Sequence, residues 1–169
     1  MNTKKSDRVG KKSSTRSAPR SAARLAAVQA LYQMEMAGSD ANEVVAEFVK
    51  HRLGDIAESI GAAETDSEFF KDIVLGVVRE QRGIDPVLDA HLAEGWRLGR
   101  IDSILRAILR SAAFELALKD DVPAKVVINE YVDIAHAYFE EDQPKVVNGI
   151  LDQLAHSRRA HEFQPHSDG

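Results

Sequence analysis

Cysteine is absent from the 169 residues. That absence excludes disulfide staples, Cys-type zinc sites and thiol catalysis, and it fits a reducing compartment, so a cytoplasmic location is expected. No apolar stretch approaches the length needed to span a bilayer. The basic N-terminus is not followed by the uninterrupted apolar run of a signal peptide, which predicts a soluble protein. The period-two alternation of exposed strands is missing, and Asn148-Gly149 sits within a helical pattern rather than between two β-like runs. No unit recurs at a fixed spacing, which argues against a solenoid.

Catalytic signatures are missing as well. The histidines at 51, 91, 136, 156, 161 and 166 form no His-Glu-x-x-His and no pair spaced to grip a metal from one helix face. There is no phosphate-cradling glycine loop, no Gly-x-Ser-x-Gly and no dinucleotide fingerprint. Asp152 and His156 are spaced as a helix-surface pair, and Glu140-Glu141 reads as a solvated helix end. The sequence therefore predicts a protein that is not an enzyme and needs no metal or cofactor.

What is present is enough apolar material, 44% of the chain, for one core. The charge is strongly asymmetric. Residues 1–24 hold eight Lys and Arg against the single acid Asp7, while the remainder carries 14 bases and 26 acids, so the net charge of −5 hides a basic arm on an acidic body. Residues 1–17 have almost no large apolar side chain and cannot offset their ordering entropy, which predicts a disordered basic arm. Residues 18–157 read as one helical domain, and 158–169 as a disordered tail.

Within that domain, Pro19 suits a first helical turn, Leu25, Val28, Tyr32 and Met36 make one apolar row, and Gly38 stops the helix. Arg16, Arg20 and Arg24 recur every four residues, forming a stripe on the solvent side of that row. A second helix starts at Ser39 or Asp40 and ends near Leu53, and GDIAESIGAAE reads as a loop with at most one short turn. Thr65 and Glu68 form a capping box for a helix closed by Gly83. Asp85 and Pro86 then open another, and WRLGRID connects onward with Trp96 in the core. IDSILRAILRSAAFELALK is a long amphipathic helix at the centre of the second half. Two more begin near Pro123 and at Asp142–Pro144. The expected fold is all-α, with six or seven helices in two packed groups.

The stretches RLAAVQALYQ, ILRAILRSAAFEL, VPAKVVINEYVDIA and VVNGILDQLA, in this order and at these distances, resemble the NusB family of bacterial transcription antitermination factors. They span most of residues 20–155. The resemblance implies seven helices in two perpendicular three-helix groups. It also implies binding of a single-stranded boxA element in nascent ribosomal RNA, together with NusE, a small-subunit ribosomal protein, within the RNA polymerase antitermination complex. It makes Arg16, Arg20 and Arg24 RNA contacts, with a second patch at Lys145 and Asn148, and it places the NusE contact on the first helix and around the fifth, at Tyr32 and Arg106.

Physically, guanidinium groups suit phosphates and unpaired bases. Asp142, just ahead of the Lys145 patch, is expected to oppose RNA. The sequence departs from relatives at Val146, where many carry Phe, and at His91, where some carry an aromatic and which is expected to substitute for it in part. It departs again at Leu105, where an acid is frequent; an exposed Leu105 would supply an apolar partner contact. RNA cytosine methyltransferases carry a similar N-terminal domain, but this sequence is expected to lack room for their cofactor-binding part. The rival reading is a helical interaction module or homodimer whose basic arm is incidental, so the protein is expected to be a monomer or a homodimer.

Overall fold

The structure is a computed structural model describing residues 17–140 and 142–165. The expectations for the arm 1–16, Arg16 included, and for residues 166–169 lie outside the described residues. Among those described, seven α-helices and no strand occur: α1 (Ala18–Ala37), α2 (Ala41–Glu47), α3 (Leu53–Ser59), α4 (Ser67–His91), α5 (Ser103–Leu118), α6 (Ala124–Tyr138) and α7 (Asp142–Arg158). No helix among them is long and apolar enough to cross a membrane.

Local chemistry accounts for most boundaries. Ser17 caps α1 with Pro19 in its first turn, and Gly38 closes it at φ 67°, donating its N–H to the Met34 carbonyl. Asp40 caps α2, and Asp102 caps α5 by accepting from Ile104 and Leu105. The cap of α4 is Asp66 rather than Thr65; Thr65 instead donates its hydroxyl to the Leu53 carbonyl at 2.8 Å.

Several expectations are corrected. A wider π turn, Phe48–Arg52, links α2 directly to α3, so the segment read as a loop is helical as far as Ser59 and irregular beyond it; Leu53, Ile56 and Ala57 bury one side of the helix. Helix α4 runs unbroken through Gly83 and Pro86, because Ile84 and Leu88 continue the buried face of Phe70, Ile73, Val74 and Val77. Trp96 is 48% exposed, outside the core, on a turn where Gly95 adopts φ 89°; Leu98 is the buried residue of that connection. Beyond α7, the described residues of the expected tail include a 3-10 turn over Ala160–Phe163 and a buried Arg159.

Helix α5 is shared between two groups. It packs against α1 and α4 and against α6 and α7, while α2 lies along α1 and α4, and α3 along α1. The approach of α4 to α5 is close enough that a Cβ on Gly76 would sit 2.3 Å from the Phe114 ring, so only glycine fits there.

Candidate nucleic-acid interface

Helix α1 lays alanines, not large apolar residues, into the core. Ala22, Ala23, Ala26, Ala27, Val28 and Ala30 are buried, while Leu25 is half-buried and Tyr32 and Met36 of the expected apolar row are exposed. This small-residue face lets α1 sit close to α5 and α6, and Arg24 enters with it.

Arg24 is 0% exposed, which corrects its expected place on the solvent side. Its Nε and Nη2 donate to the two Glu115 carboxylate oxygens at 2.7 and 3.0 Å, and its Nη1 donates to Glu130 Oε1 at 3.1 Å. Ser21 donates to the same Glu130 oxygen, and the buried Tyr131 hydroxyl donates to Glu115 Oε2 at 2.6 Å. Burial alone would lower the Arg24 pKa. The hydrogen bond and charge of Glu115 outweigh it and raise the value, so the guanidinium stays charged. Burial, then the Glu115 charge, pushes the Tyr131 hydroxyl well above its ordinary range and keeps it a donor. Arg24 is thus a fastener of α1 to α5 and α6.

One turn earlier, Arg20 is only half-buried. Its guanidinium lies 4.2 Å over the Phe69 ring, with Nε 3.8 Å from Asp66 and Nη1 3.9 Å from Asp121. On α7, Lys145 and Asn148 are exposed and lie three residues apart, on one helix face. Asp142, also exposed, precedes them by one turn on that face, and Val146 is half-buried. His91, half-buried in the last turn of α4, has Nδ1 2.9 Å from the Val87 carbonyl, which can only accept, so that nitrogen carries the proton.

Of the partner-side residues, Tyr32 is 38% exposed. Leu105 is 3% exposed and Arg106 7%, so neither offers the expected surface contact; an apolar side chain at 105 suits its burial among the core of α5. Arg106 donates to the Leu98 and Ile101 carbonyls at 3.0 and 2.8 Å and forms a two-pronged pair with Glu35. The hydrogen bond from Arg106 holds the Glu35 carboxyl below its ordinary pKa against some burial.

A third buried arginine had no signal in the helical pattern. Arg159 donates to the carbonyls of Glu115, Leu116, Lys119 and Val122 at 2.8 to 3.0 Å, closing the C-terminal end of α5. It also pairs at 2.7 Å with Glu162, whose other oxygen accepts the Ala124 N–H at the start of α6. Burial pushes the Glu162 carboxyl up, but these donors prevail and hold it below the usual range.

Against known families, residues 21–156 match the model of the NusB family. The chain belongs to that family. A NusB transcription antitermination protein of Bradyrhizobium sp. (strain BTAi1) is 57% identical over 146 residues, covering 86% of each chain. One from Nitrobacter hamburgensis is 53% identical over 144 residues, covering 85% of this chain and 90% of its own. Among solved structures, T. maritima NusB superposes with a TM-score of 0.68 at 31% identity over 86% of this chain and 96% of its own. A crystal structure of the antitermination factors NusB and NusE in complex with double-stranded RNA superposes with a TM-score of 0.65 at 25% identity, over 81% of this chain and 96% of that one. The NusB assignment makes the molecule a transcription antitermination factor and not an enzyme.

Proposed function

We propose that this protein binds boxA-type RNA of nascent ribosomal transcripts together with NusE, and so acts within the cytoplasmic RNA polymerase antitermination complex. The observation that carries this reading is the likeness, over most of both chains, to a NusB solved with NusE and RNA. The exposed cations support it: Arg20 at the start of α1 and Lys145 beside Asn148 at the start of α7 are free of the deep burial that removes Arg24. Arg24 is reassigned as a positioning residue that holds α1, and with it Arg20, against α5 and α6. His91 is kept at the RNA edge with its Nε2 available as an acceptor when neutral. On the NusE side, Tyr32 is the contact, and Arg106 acts through Glu35 while Leu105 supports it from the core.

The test is a titration of the full chain with a boxA-type RNA and with a scrambled RNA of equal length, each with and without NusE. The boxA RNA should bind more tightly, and NusE and RNA should tighten each other's binding by the same factor. Equal weak affinity for both RNAs, unchanged by NusE, overturns the reading.

A further inference from the structure

Two arginines one turn apart on α1 are held in opposite ways. Arg24 is locked by hydrogen bonds on three of its nitrogens. Arg20 faces two carboxylates at 3.8 and 3.9 Å, beyond hydrogen-bond reach, and keeps 29% of its side chain exposed. The Phe69 ring lies beneath its guanidinium carbon and adds a cation–π contact to the pairing with the two carboxylates.

Asp66 is fixed in place, and Asp121, with 70% of its side chain exposed, stands on a held stretch of backbone. Asp66 accepts the Phe69 N–H at 3.0 Å as the cap of α4, and its own N–H donates to the Pro19 carbonyl at 3.0 Å, tying it to the residue before Arg20. Asp121 lies on the α5–α6 connection, where Arg159 grips the Lys119 and Val122 carbonyls on either side of it. Neither carboxylate is spent on another cation among the described ion pairs.

We propose that Asp66 and Asp121 are built-in phosphate surrogates: they orient Arg20 in the free protein and compete with an RNA phosphate for it, setting the affinity of the α1 face. The inference rests on the RNA reading above. Carboxylates at hydrogen-bond range would lock Arg20 as Glu115 locks Arg24, whereas pairs near 4 Å keep it oriented and exchangeable. A phosphate, with two oxygens able to take paired guanidinium donors, displaces them.

The experiment measures binding of a boxA-type single-stranded RNA at low and at physiological salt for the parent, Asp121→Asn and Asp66→Asn, and for Asp121→Asn in an Arg20→Ala background. Asparagine retains the acceptor that caps α4, and thermal melts confirm folding; should Asp66→Asn melt early, Asp121→Asn alone decides. Removing the Asp121 charge should tighten binding roughly threefold to fivefold at low salt, with a smaller gain at higher salt. No gain should remain without Arg20. A parent that binds boxA RNA while Asp121→Asn binds no better overturns the proposal alone, as does an equal gain in the Arg20→Ala background, which would mark a general charge effect. A parent that binds neither boxA nor scrambled RNA overturns the RNA reading as well.

Discussion

Arg24 on α1 and Glu115 on α5, 91 positions apart in sequence, face each other fork to fork with both side chains at 0% exposure. Such a pair gives α1 its rotational setting, since turning the helix by one residue would bring a different side chain to Glu115 and Glu130. Truncating one partner leaves the other charge buried without its counterion. Arg24→Ala is therefore expected to destabilise the fold by about 3–5 kcal/mol in denaturant unfolding, and any loss of RNA binding should track the unfolded fraction. Arg24→Lys should rescue little, because an ammonium cannot reach both carboxylates with paired donors.

Deleting the residues from Arg159 onward should lower stability by about 2–4 kcal/mol, because four carbonyls, three of them buried, lose a hydrogen bond from its guanidinium. Glu162→Gln should cost less, since the amide oxygen still accepts from Ala124. Chemical denaturation of the two variants checks the order; a deletion as stable as the parent would contradict the buried geometry.

Acid should expose the Glu35 pair. Its folded pKa lies below the unfolded value, so its stabilisation is fully present above the ordinary glutamate range and disappears as pH falls through the lowered folded value. Unfolding midpoints measured from pH 7 to pH 3 should fall less steeply for Glu35→Gln than for the parent. The Gln variant should also start from a lower midpoint at neutral pH.

Lys145→Ala should leave the melting temperature unchanged, since the side chain is exposed. RNA affinity should fall, and the slope of log affinity against log salt should shrink by roughly 0.7 if one phosphate contact is removed. Asn148→Ala should reduce affinity with little change in that slope. Fluorescence anisotropy across a salt series distinguishes the two.

Helices with an apolar side and a polar cap were legible in the sequence: Asp40 opening α2 and Gly38 closing α1 each announce a boundary by local chemistry. Punctuation misled where tertiary burial overrode it. Gly83 and Pro86 read as a stop and a start, yet Ile84 and Leu88 gain enough from the core to carry α4 past both. The site was legible only in part. Helical periodicity treats every arginine as a solvent-facing residue, so it set Arg20 and Arg24 on one stripe, although Arg24 is fully buried and Arg20 only half-buried. Arg24 and Arg159 find partners about 91 and 43 residues away, and no local pattern encodes such pairings. The excess of alanine around Arg24 was the available clue, because a face of small side chains admits a long one between helices.

The clasp at Arg159 also orders events during synthesis. The carbonyls of Glu115, Leu116 and Lys119 leave the ribosome at least 40 residues ahead of the guanidinium that will take them up. Until then the Glu115 and Lys119 carbonyls have only the Lys119 and Val122 N–H groups as donors, and the end of α5 lacks its clasp. Because α5 belongs to both helix groups, its seam with α6 and α7 receives this clasp last, whereas the contacts of α1 and α4 with α5 draw nothing from Arg159. The first group is thus in place as a template before the second is sealed, an order written into the direction of translation.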